Sequence, residues 1–481
     1  MSKRSTGSPG RGRLGPFCVW SSPEGIRPPP PGLPLSQSLG LREPPRPARP
    51  SPARPRPPPA ARRAPAPRAP APRAMERLAA RRAARRAGAA GPGAAAAPPA
   101  AGAPPPPPPA LLLAPMELLG DRAFRRAHAR AAGGCDEYCT EFLRVPDRGP
   151  PPSPRLVRGL VGKYDPGELE GRAPLAVQVM GASPERLAAV VGALVARGAG
   201  RVDLNCGCPA NTVTGKGAGS SLLRDPLRVE ACVAAMVEAA EGRVPISVKM
   251  RSGFESVALF EDNARAVQAG GAAFCSVHPR TKRQGYRGRA DWSLIACAAR
   301  VLSIPVVGNG DVTSAGAALA LLRETGCDGV MVGRGAVSDP FIFHRITAAL
   351  AAEEEGGDGD RGGGGEGPAG EAGGEDFGPE AVCRFVEAFH GELLTTRRGL
   401  DHLGSKVELR SRVGRLKQVS KYLLAGAPSL RPLITIPSGD VSPEEYLARL
   451  QDALRTEWPA ALAQAAQVNE FSHDNRVRSL A

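Results

Sequence analysis

The chain has 481 residues and a formal net charge of +16, with 63 Lys and Arg residues against 47 Asp and Glu residues. Residues 1–110 contain 19 of the basic and 3 of the acidic residues, which leaves 44 of each for the remainder. The excess charge is therefore no evidence that the folded part binds nucleic acid. No apolar run reaches the roughly 18 residues of a membrane-spanning helix. The ten Cys residues are scattered, which excludes a dense disulfide framework and favours a reducing compartment.

The stretch 1–110 is rich in Pro, Ala, Gly and Arg and has few large apolar residues. This composition predicts a disordered leader, because the stretch can bury too little apolar surface to fold. The leader resembles an organellar transit peptide, so we expect a chloroplast or mitochondrial location, with the cytoplasm as the alternative if the leader carries no address. Met75 is an alternative start, and Arg77, Arg81 and Arg85 after it share one predicted helical face.

Apolar runs alternate with helical patterns from residue 111 to 351, which predicts a parallel α/β architecture. Eight runs predict closure into a TIM (β/α)8 barrel, with an open doubly wound sheet as the competing topology. The runs are 111–116, 137–143, 175–180, 201–206, 246–250, 273–277, 305–308 and 329–332. Helices are expected at 184–197, 226–241, 257–269, 292–301, 315–324 and 340–351, and the first two begin at Ser-Pro and Asp-Pro start signals.

The sequence changes character after the predicted barrel. Residues 352–378 are mostly Gly, Glu and Asp and predict an acidic, disordered insertion. Residues 379–465 are expected to form a smaller all-helical domain, followed by a polar tail at 466–481. One helix of that domain is strongly basic through Lys406, Arg410, Arg412, Arg415, Lys417 and Lys421. A solvated face is the ordinary explanation of such a charge run, and nucleic-acid binding is the alternative.

A candidate reactive thiol lies in the Gly-rich stretch after the fourth apolar run. Cys208 follows the strand end, and Pro209 prevents a helix from starting there. Barrel enzymes place catalytic groups at this corner, although an arbitrary Cys is more often a buried structural residue. The polar Asn205 on the same strand end and the glycines of the following loop favour a functional site.

Polar residues recur at the carboxyl ends of six consecutive runs, and in a closed barrel these ends share one mouth. They are Gln178, Asn205, Cys208, Lys249, Arg251, His278, Arg280, Asn309, Gly310, Asp311, Gly333, Arg334 and Gly335. The groups after the last two runs predict a phosphate site, with Lys249 and His278 facing the ring system of a bound cofactor. No metal site is expected, because Cys206 and Cys208 lack a second Cys or His pair at zinc spacing.

These residues belong to a series of motifs that resembles the tRNA-dihydrouridine synthase family over about 111–425. The motifs are Ala114-Pro-Met116, Thr140-Glu-Phe-Leu-Arg144, Asp203-Leu-Asn-Cys-Gly-Cys-Pro209, Ser247-Val-Lys-Met-Arg251, Val277-His-Pro-Arg-Thr281, Gly308-Asn-Gly-Asp311 and Val332-Gly-Arg-Gly335, in the family's order. The first two are most similar to the bacterial C-type branch, which modifies the D-loop. The long leader, the acidic insertion and the short Pro-rich segment after Arg144 depart from the family pattern.

The resemblance implies a flavin-dependent oxidoreductase that reduces a D-loop uridine, position 16 first, with FMN as cofactor and NADPH as electron donor. It implies that Cys208 protonates C5 and that Asn205 orients the uracil. The residues implied to hold FMN are Pro115, Met116, Gln178, Lys249, His278, Asn309, Gly310, Asp311, Gly333 and Arg334. Those expected to contact tRNA are Arg280, Lys406, Arg410, Arg412, Arg415 and Lys417. We expect a monomer that acts on tRNA and has no membrane association.

Two other functions compete with this interpretation. One is an FMN barrel oxidoreductase that acts on a small pyrimidine, similar to dihydroorotate dehydrogenase. The basic helical domain argues against it, because a small metabolite needs no such surface. The other is a non-catalytic RNA-binding barrel. The intact series of polar strand ends argues against that function.

Overall fold

The computed structural model describes residues 73–88, 107–147, 152–209, 217–355, 377–395 and 405–467, all within the compact unit Ala66–Ala481. Predictions for the rest of the leader, for most of the acidic insertion and for nearly all of the C-terminal tail lie outside the described residues. The domain bounds drawn from the sequence in those stretches therefore stay predictions.

A ring of parallel strands forms the centre of the described chain. The strands are β1 Ala110–Leu113, β2 Tyr138–Cys139, β3 Leu143–Arg144, β4 Leu175–Met180, β5 Val202–Cys206, β6 Ile246–Gly253, β7 Phe274–Thr281, β8 Val306–Asn309 and β9 Gly329–Val332. Neighbouring strands follow the order β1-β9-β8-β7-β6-β5-β4-β2, and each pairing is parallel. The amide of Leu113 donates to the Glu137 carbonyl at 3.0 Å and so joins β1 to the start of β2, which closes the ring.

The TIM-barrel prediction is confirmed, with one difference at the second strand position. The apolar run 137–143 is expected to form one strand, but it forms β2 and β3, which both pair with β4. Polar side chains interrupt the run. The hydroxyl of Thr140 accepts the Gln178 amide at 3.1 Å, and the carboxylate of Glu141 accepts the Leu118 amide at 2.9 Å.

Helices surround the ring and continue beyond it. They are α1 Arg73–Gly88, α2 Arg122–Ala131, α3 Pro154–Val161, α4 Pro184–Ala196, α5 Pro226–Ala240, α6 Phe260–Ala269, α7 Ser293–Val301, α8 Ala315–Thr325, α9 Gly335–Ser338, α10 Ile342–Glu355, α11 Pro379–Thr395, α12 Ser405–Leu423, α13 Leu430–Thr435 and α14 Pro443–Gln467. The start signals predicted for α4 and α5 are confirmed, because the side chains of Ser183 and Asp225 accept amides from the first turn.

The strands β4 and β7 are buried along their whole length. A parallel sheet covered by helices has no face in water, so its strands are expected to be almost continuously apolar. Polar residues within such strands need hydrogen-bond partners and are candidates for function. Gln178 in β4 and Asp203 in β5, exposed by 0% and 2%, are two such residues.

The helix α1 packs on the amino-terminal end of the barrel. Ala74 and Leu78 are fully buried there. The guanidinium of Arg82 donates to the Ala299 carbonyl at 2.9 Å and lies 3.6 Å from the carboxylate of Asp328, whose side chain is fully buried. The prediction of disorder is therefore wrong for this part of the leader, because a few small apolar residues and paired arginines suffice to anchor the helix.

The predicted basic face of this helix exists, but its charges bind the barrel. Arg77 forms an ion pair with Asp136 at 3.1 Å, and Arg81 donates to the Pro107 carbonyl at 2.8 Å. Arg85 lies 3.8 Å from the carboxylate of Asp328. Because the acceptors precede β1, β2 and β9, the whole face is directed at the end of the barrel opposite the carboxyl ends of the strands.

The C-terminal helices pack directly on the barrel, as the predicted helical domain requires. Phe124 of α2 meets the rings of Phe385 and Phe389 of α11 edge-on, with centroids 5.8 and 6.3 Å apart. The indole of Trp458 in α14 donates to the Ser338 carbonyl of α9 at 3.2 Å. These contacts give the helices a fixed position relative to the mouth.

None of the described helices is both long and apolar enough to cross a membrane. In the same parts of the chain, no group of three or more His, Cys, Asp or Glu side chains is placed to hold a metal ion.

Candidate active site

The carboxyl ends of β1, β6, β7, β8 and β9 surround one cleft that encloses about 650 Å³, part of which is open to solvent. Every residue that the sequence assigns to cofactor binding lines the cleft, except Gln178. The lining residues are Ala114, Pro115, Met116, Lys249, His278, Tyr286, Asn309, Gly310, Asp311, Val312, Thr313, Met331, Gly333, Arg334 and Gly335.

Lys249 of β6 is held in the cleft by the side-chain amide of Asn309, which ends β8, two strands away. Its ammonium donates to the side-chain oxygen of Asn309 at 3.0 Å, and the amide nitrogen of Asn309 donates to the Met331 carbonyl at 2.7 Å. Burial, followed by the positive charge of Arg251, lowers the pKa of Lys249 to about 8. An anion placed beside this ammonium would stabilise its charged form.

His278 is buried among cations, which keeps its imidazole neutral. Burial, and then the charges of Arg251, Lys249, Arg280 and Arg334, lower the pKa of His278 well below its usual value. A neutral imidazole can donate one hydrogen bond and accept another. The positive surroundings favour an anionic ligand over a cationic one.

An ion pair fixes the loop at 280–290 beside the cleft. The guanidinium of Arg280 lies 2.8 Å from the carboxylate of Asp311, which also accepts the Ala290 amide at 2.6 Å. Asp311 adopts a left-handed φ of 58°, and Gly310 before it has a φ of 112°. Arg280 is 1% exposed, so its guanidinium holds this loop and is not presented to solvent.

Tyr286 is a lining residue that the sequence analysis does not single out. Its ring lies 4.3 Å from the Arg334 guanidinium carbon and 5.2 Å from that of Arg251, and its centroid is 6.0 Å from that of His278. The phenol therefore packs between the cationic groups of the site. An aromatic residue within a stretch of five basic residues, 280–289, was the signal that could have found it.

A network of buried amides positions the loop of the candidate thiol. The side-chain oxygen of Asn205 accepts the amides of Gly207 and Cys208 at 2.9 and 2.8 Å. Its side-chain nitrogen donates to Gln178 at 2.8 Å, and Gln178 donates to Asp203 at 2.8 Å. Gln178 and Asn205 therefore hold the turn at Cys208 from the side of the barrel interior.

A buried ion pair anchors this network in the barrel interior. Arg201 forms ion pairs with Glu137 at 2.6 Å and Asp203 at 3.3 Å, and the hydroxyl of Ser247 also donates to Asp203. The carboxylates raise the pKa of Arg201 against the effect of burial, so its charge is retained. The chain of bonds runs from the start of β2 to the turn after β5.

Cys208 lies at the rim of the site and is 6% exposed. Its sulfur is 3.8 Å from a carboxylate oxygen of Glu117, and Glu117 directly follows the cleft residue Met116. The hydroxyl of Ser220 donates to the Cys208 carbonyl at 2.9 Å, which fixes the far side of the turn. The structure thus brings the thiol predicted at the strand corner next to the predicted cofactor cleft.

The sequence profile of the dihydrouridine synthase (Dus) family matches residues 112–357, which is about half of the chain. This chain belongs to the Dus family. The family assignment made from the motifs is thereby confirmed, and with it the prediction of an enzyme.

Curated relatives agree with the assignment to the Dus family. The chain is 44% identical over 238 residues to the "Probable tRNA-dihydrouridine synthase 1" of Synechocystis sp., which covers 49% of this chain and 63% of that protein. It is 36% identical over 248 residues to the "tRNA-dihydrouridine(16) synthase" of Aquipseudomonas alcaligenes, covering 50% and 76%. With the protein of that name from Escherichia coli it shares 39% identity over 238 residues, covering 48% and 73%.

Two residues of the basic helix α12 that were predicted to contact tRNA bind other parts of this Dus protein. Arg415 lies 3.0 Å from the carboxylate of Asp121 and also donates to the Leu118 carbonyl, and Lys417 donates to the Ile436 carbonyl. Arg412 is half-buried on the same helix. Lys406 and Arg410 belong to the helix, but their side chains lie outside the described part of the structure. Contact of these residues with tRNA stays a prediction.

Proposed function

We propose that this Dus protein reduces the C5–C6 double bond of a D-loop uridine in tRNA, with FMN as cofactor and NADPH as electron donor. The observation that carries the proposal is the position of the Cys208 thiol, which lies 3.8 Å from the carboxylate of Glu117, the residue that follows Met116 of the cationic cleft. The relatives named for position 16 of tRNA support uridine 16 as the target.

The cleft suits FMN, which combines a flat ring with an anionic phosphate. Lys249 and Arg334 supply positive charge, and the carboxylate of Asp311 is already paired with Arg280. The backbones at one end approach so closely that a Cβ on Gly335 would lie 2.2 Å from the Val312 carbonyl oxygen. A Cβ on Gly333 would instead lie 3.6 Å from its nearest neighbour, the Ala114 Cβ, so the backbone there has room for a phosphate to meet its amides.

The residues of the chain hold the proton and position the groups that react. When bound, FMN supplies the hydride that is added at C6 of the uracil. Cys208 holds the proton that completes the reduction at C5, because a cysteine thiol is mostly protonated at neutral pH and can act as a general acid. Gln178 and Asn205 fix the turn that carries the thiol. The target base must leave its stack to reach the cleft.

A comparison of the wild-type protein with Cys208→Ala tests the proposal. We expect the variant to retain its flavin and its affinity for tRNA and to lose at least roughly two orders of magnitude in dihydrouridine formation, as removal of a general acid does. Flavin absorbance, filter binding of tRNA and nucleoside mass spectrometry measure the three quantities. Full turnover in the variant would show that the thiol is not the proton donor.

A further inference from the structure

Leu118 is an exposed apolar residue in an unfavourable backbone conformation, two residues after Met116 of the cleft lining. Its side chain is 67% exposed, and its φ is +66°. Left-handed conformations are costly for residues with a Cβ and persist only where the surroundings enforce them. A strained leucine whose side chain is mostly exposed in the free protein contributes little to the stability of the fold through that side chain.

Two parts of the protein enforce this conformation. The amide of Leu118 donates to the carboxylate of Glu141 at 2.9 Å, between β2 and β3. The carbonyl of Leu118 accepts a hydrogen bond from Arg415 of α12, which also forms an ion pair with Asp121 at 3.0 Å. The barrel therefore binds the amide of Leu118, and the C-terminal helices bind its carbonyl.

The position of Leu118 connects it with the proposed reaction. Met116 lines the cleft, and Glu117 contacts the Cys208 sulfur at 3.8 Å, so Leu118 is the next residue outward along the chain. Its carbonyl is bound to the helix expected to contact tRNA. The side chain therefore stands where a nucleic acid would pass from the helical domain to the thiol.

We propose that the side chain of Leu118 is a wedge that packs against the base next to the target uridine once the uridine has entered the cleft. This inference rests on the proposed function. Removing a base from its stack exposes the neighbouring base, and proteins that extrude or unstack bases commonly insert an apolar side chain at such a position. The surrounding hydrogen bonds orient the leucine for this contact before tRNA binds.

Substitution by glycine separates the wedge from a structural role. Leu118→Gly relieves the left-handed conformation and removes the side chain, so we expect a thermal midpoint equal to or above that of the wild type and an unchanged flavin content. We expect kcat/KM for tRNA to fall at least about tenfold. Leu118→Met, which keeps apolar bulk, is expected to restore most of that loss.

A fluorescent base reports the contact directly. In tRNA with 2-aminopurine beside the target uridine, the wild-type protein is expected to change the 2-aminopurine emission on binding, and Leu118→Ala is expected to change it less. Leu227→Ala is the matched control, because Leu227 is 78% exposed in the first turn of α5, in the outer helical layer. This control should behave as the wild type in both assays.

The outcomes distinguish this inference from the function on which it rests. Wild-type kcat/KM in Leu118→Gly and wild-type emission in Leu118→Ala would contradict the wedge while leaving the reductase intact. A loss that Leu118→Met does not restore, or that Leu227→Ala shares, would also contradict it. Absence of dihydrouridine with the flavin-loaded wild-type protein would instead contradict the proposed function, and the wedge with it.

Discussion

Lys249 is expected to make cofactor binding dependent on pH. Burial and Arg251 lower its pKa to about 8 in the protein without ligand, and an anionic ligand beside it would raise that value. By linkage, FMN affinity should be constant below about pH 8 and fall at higher pH by at most about tenfold per pH unit. Flavin fluorescence titrations between about pH 7 and 9.5 measure this dependence.

Two variants identify the group that titrates. Lys249→Met should bind FMN more weakly and with no change of affinity over this pH range, whereas Lys163→Met, which alters an exposed lysine, should bind as the wild type does. His278 does not contribute to the dependence, because its lowered pKa keeps it neutral throughout. A pH dependence that persists in Lys249→Met would contradict the assignment.

Asn205 is expected to act on the reaction through the position of Cys208. In Asn205→Ala the amides of Gly207 and Cys208 lose their acceptor, so the turn relaxes. Dihydrouridine formation should fall by roughly 10- to 100-fold while flavin content stays unchanged. Asn205→Asp keeps an acceptor for both amides but cannot donate to Gln178, so it should lose less activity. Equal losses in the two variants would mean that the residue acts on the uracil itself.

At the scale of whole elements, α1 is expected to be part of the folded enzyme. Arg82→Leu removes one of the two arginines beside the buried Asp328 and the hydrogen bond to the Ala299 carbonyl, which should cost about 1–3 kcal/mol of unfolding free energy. Arg86→Leu, at an exposed position of the same helix, should cost little. Denaturant unfolding of chains that begin at Arg73 provides the measurement. Equal stability of the two variants would contradict the docked helix.

The sequence predicted an element correctly where several independent signals, such as apolar runs and helix caps, agreed. The strand ends around the cleft were predictable, because apolar runs, helix caps and polar strand ends all pointed to one mouth. The division of the run at Thr140 was not predictable, because the hydrogen bonds that replace strand pairing there join residues 23 and 38 positions apart. The docking of α1 could not be predicted from its composition. The carboxylates that bind its arginines, Asp136 and Asp328, are distant in sequence.

The residues of the candidate site were also predictable only where sequence signals marked them. Lys249, His278, Asn309 and Arg334 could be assigned because each lies within two residues of the end of a predicted apolar run. Tyr286 was missed, because it lies on a loop that contacts between distant residues bring to the cleft, among them the Arg280–Asp311 ion pair and the hydrogen bond from Arg251 to the Gly285 carbonyl. The supporting role of Gln178 and Asn205 was also missed. A side chain on a strand end can face a ligand or its neighbour, and only coordinates distinguish the two.

In the whole molecule, the excess positive charge lies in the leader and the cleft lies in the barrel. Charge-driven binding of tRNA can therefore be tested apart from selection of the target uridine. Residues 1–72 contain 13 basic and 2 acidic residues, so a chain that begins at Arg73 has a formal net charge of +5 instead of +16. We expect this shorter chain to bind tRNA more weakly and with a smaller dependence on salt. The modified position should be unchanged, because the cleft and α12 are retained. A different position would show that the leader takes part in recognition.

The most direct measurement is a position-by-position analysis of dihydrouridine in unmodified tRNA incubated with the full chain, FMN and NADPH. The proposed function predicts product at a single D-loop uridine, position 16, and none with Cys208→Ala. A flavin-loaded protein that oxidises NADPH but forms no dihydrouridine at any position would contradict the function proposed for this Dus protein.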